Sequence, residues 1–336
     1  MTSDNETEIY WLGIEKEIRI FFGEYYRIHA YISTVLSVFG IIGNVLNVFI
    51  LTRKKMISTT NILLTALAVS DGLKSLVHIP FIILNYDLFV KTPHPFSISS
   101  YSKFYSTVVV IFHSASIWLT VSLAIFRYIA VRFPLRATTL CSQKRAKLTI
   151  FVVCLLITVV RIPNFLDYTY VYPVYNNVSH WDIRDRVEEY DFNQRFTIWF
   201  SALFVRLLPC LLLLVLSILL IQELRRASES RSNLSGQGTI QKQMKTNRTT
   251  GMLLVVVVLF IVIELPHGIL LLLVAIHSNF FDSVYFPLGA LINDITLLNN
   301  GINFVIYCTM SQKFRDTFME MFSCCDWKSK CLHNTT

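Results

Sequence analysis

The strongest constraint in this chain is the spacing of its apolar blocks. Seven mostly apolar stretches of about twenty or more residues alternate with short polar segments. Lipid offers no partner to backbone N–H and C=O groups, so such stretches must satisfy their own backbone as helices. The expected fold is all-α, a seven-transmembrane helix bundle. Composition agrees: 54% of the 336 residues are hydrophobic and 15% charged, against about 25% charged in soluble domains. The spans are read as 29–52, 59–84, 101–133, 146–167, 196–221, 249–276 and 284–309. Residues 1–28 form a polar N-terminus, 29–309 the seven-helix domain, and 310–336 a short amphipathic helix with a tail.

The N-terminal run MTSDNETEIYWLGIEKE is acidic. It lacks the basic and apolar regions of a signal peptide, so the first span is expected to direct its own insertion. Seven spans put the two ends on opposite sides of the membrane, and lysine and arginine favour the cytoplasmic side. Arg53, Lys54, Lys55, Arg132, Arg136, Lys144, Arg145, Arg225, Arg226, Lys313 and Arg315 all fall in the odd-numbered connections and the tail. Asp4, Glu6, Glu8, Glu15 and Glu17 lie at the N-terminus; Asp182, Asp185, Glu188, Glu189 and Asp191 lie in the loop between spans 4 and 5. The expectation is a plasma-membrane protein with its N-terminus outside and its C-terminus cytoplasmic. Asn5 and Asn177 then head outward-facing sequons and are glycosylation candidates. The bases behind the net charge of +8 flank membrane spans, which argues for a bilayer and against nucleic acid as partner. No nucleotide-binding or metalloprotease pattern occurs, and the seven cysteines all fall in spans or inner segments. Neither an enzyme nor an extracellular disulfide framework is expected.

Polar residues inside the spans are expensive in lipid and each needs a reason. Asn44, Asp71, Ser116, Asn299, Asn300 and Asn303 lie near mid-depth on four spans. Asn293, Asn300, Asn303 and Tyr307 share one face of span 7, while Asp294 points away from it. Two readings stand. Oxygen ligands around one carboxylate suit a sodium ion or ordered water; the same residues can also be interhelical hydrogen-bond glue.

The stretch Ser114–Leu135, SASIWLTVSLAIFRYIAVRFPL, is a membrane helix running into Arg127, Tyr128, Arg132, Pro134 and Leu135. An arginine is always charged and must sit at the membrane edge or find partners. With Gly43-Asn44-Val45, Leu67-Ala68-Val69-Ser70-Asp71, Pro209, Phe260, Pro266, Asn303 and Tyr307, it resembles the rhodopsin-like G-protein-coupled receptors over nearly the whole chain. The resemblance implies a heterotrimeric G protein as partner, met by Arg127, Tyr128, Pro134, Leu135 and Tyr307. It also implies a sodium site at Asp71, Ser116, Asn299, Asn300 and Asn303, with no other cofactor. Some positions depart from the family pattern. Phe126 replaces the acid before Arg127, Glu264 replaces a tryptophan, Phe304 follows Asn303 where a proline is usual, and Ser217 replaces a tyrosine. Ser102 stands near the usual disulfide cysteine, and the loop 168–195 has none. The runs Thr60–Asp71, Ile117–Val121, Arg248–Leu253, Glu264–Leu270 and Asn300–Phe304 are similar to invertebrate myosuppressin and FMRFamide-like neuropeptide receptors. That similarity implies a short peptide ending in Arg-Phe-amide as ligand. The alternative on the same fold is a chemosensory receptor for a small molecule.

Glu264 is the most informative residue. A carboxylate at mid-span costs about 2.5–3.5 kcal/mol on insertion scales. Arg206, one turn from Pro209 on the neighbouring span, is the internal candidate partner. The peptide's penultimate arginine is the other, with His267, His113 and Asn293 completing a ligand site. Beyond span 7, Phe314, Phe318 and Phe322 share one helix face beside Lys313 and Arg315, as suits a helix in the membrane interface. Cys324 and Cys325 are either palmitoylated or a plain thiol pair.

Overall fold

The computed structural model describes residues 2–85, 96–166, 192–232, 237–277 and 280–333, with four short segments between 168 and 185. Helix α1 covers Thr2–Leu51, α2 Thr59–Asn85, α3 Phe96–Arg132, α4 Pro134–Leu140 and α5 Gln143–Leu166. They are followed by α6 at Phe192–Phe200, α7 at Leu208–Ser232, α8 at Gln237–Ile276, α9 at Phe286–Met310 and α10 at Gln312–His333. The seven spans are α1, α2, α3, α5, α6 with α7, α8 and α9; α10 is the amphipathic helix. Two helices start earlier than expected. α8 begins well before Thr249. α1 begins at Thr2, although its apolar part starts at Ile28. No proline precedes Pro80, so nothing interrupts the helical ladder ahead of the first span.

Among the described residues, α1, α2, α3, α6 with α7, and α8 are long and apolar enough to cross a membrane by composition alone. The exceptions are informative. α5 carries Lys144, Arg145, Lys147 and Arg161, and α9 carries Asn293, Asp294, Asn299, Asn300 and Asn303. The bundle is apolar outside and polar within. Val35, Ile42, Phe49, Phe151, Leu211 and Val262 are exposed, whereas Asn44, Asp71, Lys74, Glu264 and Asn300 are buried. That distribution suits lipid, where intramembrane polar groups turn inward.

α1 packs on α2 and α9, and α3 on α2, α5 and α7. Gly301 sets the α1–α9 approach: a Cβ there would lie 2.6 Å from the Phe39 ring and 3.4 Å from Gly40 Cα. Close backbones of this kind replace the hydrophobic drive that helices lack in lipid. The inner half is filled by Leu63, Leu67, Leu119, Leu123, Ile306 and Phe314. Phe314 on α10 is buried against Tyr307, and Phe318 packs on Phe304. Arg315 donates to the carbonyls of Cys308 at 3.1 Å and Thr309 at 2.8 Å, satisfying the orphan end of α9. Side chains of Asn5, Cys324 and Cys325, and all of Asn177, lie outside the described residues.

The loop after α5 is not featureless. Strand β1, Tyr168–Val171, pairs antiparallel with β4, Asp182–Asp185; inside that ribbon β2, Val174–Tyr175, pairs with β3, Val178–Ser179. The tyrosines, valines and threonine of 168–178 are good strand formers, a signal that the loop's acids obscure. Tyr170 meets Phe96 with ring centroids 4.9 Å apart. Lys103 Nζ lies 4.4 Å from the Phe165 ring and 5.0 Å from the Tyr170 ring. At the position of the missing cysteine, Ser102 donates to Asn85 Oδ1 at 2.9 Å. Aromatic and cation–π contacts therefore hold the ribbon against α3 where a disulfide is usual.

Candidate functional site

The outer half of the bundle converges on Glu264, which is fully buried on α8. Between α6 and α7, Ser201–Leu207 form a π-helical stretch ahead of Pro209. Proline has no N–H to donate back, and π-bulges gather at functional sites. This stretch carries Arg206, whose Nη1 donates to Glu264 Oε2. Gly268, one turn beyond Glu264, lets the two segments meet: a Cβ there would stand 3.0 Å from Arg206 Cβ.

His113 on α3 completes the site. Lys74 Nζ lies 3.2 Å from His113 Nδ1. An ammonium only donates, so Nδ1 is the acceptor of that contact. Nε2 lies 3.3 Å from Arg206 Nη1 and 3.4 Å from Glu264 Oε2, so the ring stands between the ammonium of Lys74 and the Arg206–Glu264 pair. Glu264 Oε1 has no hydrogen-bond partner among the described residues. His267 faces outward and shares a 3.0 Å hydrogen bond with Tyr285 OH. Tyr285 ends a second π-helical turn, Phe281–Tyr285.

Asn293 does not join this group. Its Nδ2 lies 3.2 Å from His78 Nε2, and His78 Nδ1 lies 2.6 Å from Tyr105 OH. Asp294 turns to α1, accepting from Tyr25 OH at 2.5 Å and lying 2.9 Å from His29 Nδ1. Lys74, His78, Tyr105 and Tyr285 escape a reading of the sequence, since their partners lie on other helices.

Below this site, Asp71 Oδ1 accepts from Ser116 Oγ at 2.7 Å and Oδ2 from Asn303 Nδ2 at 3.3 Å. Asn44 Nδ2 donates to the carbonyl of Asn300 at 2.9 Å. Asn299 makes no side-chain hydrogen bond among the described residues, and Asn300 Nδ2 is buried without a partner. A sodium cage needs oxygens turned inward. Here each carboxylate oxygen already accepts one donor, Asn303 presents its nitrogen to Oδ2, and the buried Lys74 stands one turn away. A fixed ammonium so close to the carboxylate fits poorly with a sodium ion.

At the inner end, Arg127 is half-buried and its Nε has no partner among the described residues. Phe126 packs into the inner apolar cluster, so the position next to Arg127 restrains nothing electrostatically. Arg127, Thr120, Leu123, Ser217 and Leu254 line a cavity of about 20 Å³, room for about one water. The inner α3–α7 ion pair belongs to Arg132 instead, 3.4 Å from Glu223. Tyr307 is buried with its hydroxyl unpartnered among the described residues. Tyr128 is half-buried at the foot of α3. Pro134 opens α4, and Leu135 beside it is 93% exposed, an apolar knob presented outward.

The family model described as "Serpentine type 7TM GPCR chemoreceptor Srw" matches residues 31–325. The chain belongs to this family of seven-helix G-protein-coupled receptors. The receptor is 32% identical to the sex peptide receptor of Drosophila melanogaster, over 88% of this chain and 72% of that protein. It is 28% identical to sex peptide receptor-related protein 2 of Caenorhabditis elegans, covering 88% of this chain and 71% of the relative. The FMRFamide receptor of Drosophila melanogaster is 29% identical, over 86% of this chain and 52% of its own length.

Proposed function

We propose that this receptor binds a short amidated peptide through Glu264 and passes the event to a heterotrimeric G protein at Arg127. The observation that carries the reading is Glu264 Oε1, a buried carboxylate oxygen without a partner beside one already held by Arg206. A carboxylate can take two parallel donors from one guanidinium, so the free oxygen accepts the peptide's arginine. The relatives named for a sex peptide and for FMRFamide support a peptide ligand. His267 and His113 flank the acceptor. The receptor sits in the plasma membrane with its N-terminus outside, as the asymmetry of lysine and arginine argues. An epitope tag on the N-terminus should stain intact cells; staining only after permeabilisation overturns that orientation.

The test is a G-protein readout in cells given amidated peptides. The Glu264→Gln receptors that reach the surface should lose affinity about ten- to hundred-fold for an arginine-bearing peptide. A citrulline peptide should bind wild type and variant nearly alike. Retention of the full preference for arginine by Glu264→Gln refutes the contact. Arg127→Ala should abolish signalling with peptide binding intact. The family description as chemoreceptors keeps a small-molecule ligand as the second reading. Activation by small molecules, with every amidated peptide silent, would select it.

A further inference from the structure

Two rungs join α2 to α3 in the middle of the bundle. In the lower one, Ser116 donates to Asp71 at 2.7 Å. In the upper one, Lys74 lies 3.2 Å from His113 Nδ1. Each helix supplies residues one turn apart, so the ammonium rung stacks directly on the carboxylate rung. Lys74 is 4% exposed and Asp71 2%, leaving neither a route to water. Through His113 the same ammonium reaches Glu264, whose Oε2 is 3.4 Å from Nε2.

We infer that Lys74 is a built-in cation that takes the place of sodium at Asp71, so that this receptor is indifferent to sodium. A free monovalent cation entering beside Asp71 would face a fixed ammonium one turn away. It would also have to share the carboxylate oxygens with the donors of Ser116 and Asn303, one on each oxygen. The positive charge is instead tethered to α2 and tied to His113, so its position follows α2 and α3 and cannot be lost by dissociation. The Glu264 site and the Asp71 site thereby share one cation, and a ligand that disturbs the hydrogen bonds of His113 acts on both.

Thermal unfolding of the purified receptor in detergent, without ligand, in sodium chloride and in choline chloride at equal ionic strength, tests this. A bound ion stabilises the folded state in proportion to its occupancy. Wild type should melt at the same temperature in both salts. Lys74→Met removes the charge at similar length and should melt at a higher temperature in sodium than in choline. A sodium-dependent rise in wild type overturns the inference. So does a folded Lys74→Met protein that melts alike in both salts. Should Lys74→Met fail to fold, the wild-type comparison still decides, and Lys74→Met with Asp71→Asn should recover surface expression. Failure of that pair to recover counts against the coupling of the two residues.

Discussion

Glu264 and Asp71 are both buried carboxylates at membrane depth, yet they are held in opposite ways. Glu264 lies against the guanidinium of Arg206 and the imidazole of His113. Asp71 takes a hydroxyl from Ser116 and an amide from Asn303. Its nearest formal cation, Lys74, belongs to the rung above. The first site is a direct charge pair with one oxygen free among the described residues; in the second, each oxygen accepts from a neutral donor and the cation stands one turn away. A site meant to exchange partners needs the free acceptor. A site meant to hold helices in register needs a donor on each oxygen, which α3 and α9 supply to Asp71 on α2.

The largest effect should come from removing the cation of the charge pair. Arg206→Gln strands a fully buried carboxylate, a loss of about 3–5 kcal/mol. Surface expression should collapse. Joining it to Glu264→Gln should restore expression, since two amides can bond to each other without a net charge. If the single variant reaches the surface as well as wild type, the pair does not support the fold and the contrast with Asp71 fails.

How far the sequence foretold these two sites differs for physical reasons. Seven blocks of apolar residues specify the bundle, because lipid forbids any backbone arrangement but helices here. Arg206 and Glu264 are legible as partners because each is unaffordable alone at similar depth. Asp71 with Ser116 and Asn303 is legible from the family resemblance, but Lys74 is not. A lysine three residues from an acid also reads as a side chain snorkelling outward, and only the packing of α2 on α3 turns it to His113. Asn293 shares the helix face of Asn300 yet meets His78 of α2 rather than Glu264. Asn299 counts as a ligand by its residue type, but its neighbour Asn300 is the residue turned inward. The β ribbon is missed because charge pattern in a loop is louder than strand propensity.

A smaller effect should follow from moving Arg206 without changing its charge. Gly268→Ala places a Cβ 3.0 Å from Arg206 Cβ and 3.1 Å from Leu207 Cδ2. The first of these atoms is fixed to the backbone and cannot swing aside, so α8 must back away from the π-helical stretch. Overpacking of this sort costs about 2 kcal/mol. The melting temperature should fall, and affinity for the arginine peptide should fall with it because Glu264 and Arg206 move apart. An unchanged melting temperature would mean that the two segments do not touch as described.

The smallest effects belong to the neutral donors on Asp71, and they should be ranked by geometry. Ser116→Ala leaves Asp71 Oδ1 without its 2.7 Å donor. A hydrogen bond to a charged group contributes about 1.5–3 kcal/mol, and the lower end applies where Asn303 still holds the other oxygen. Asn303→Ala removes a 3.3 Å bond, beyond the usual N–H···O range, and should cost about 0.5–1 kcal/mol at that bond. Melting temperatures in detergent, with no ligand present, should therefore fall in the order Arg206→Gln, Gly268→Ala, Ser116→Ala, Asn303→Ala. None of the last two should alter the preference for arginine over citrulline, because neither touches Glu264. If Ser116→Ala instead lowers stability as much as Arg206→Gln, Asp71 is not held by neutral donors alone, and the ammonium of Lys74 carries more of its charge than the two-rung geometry requires.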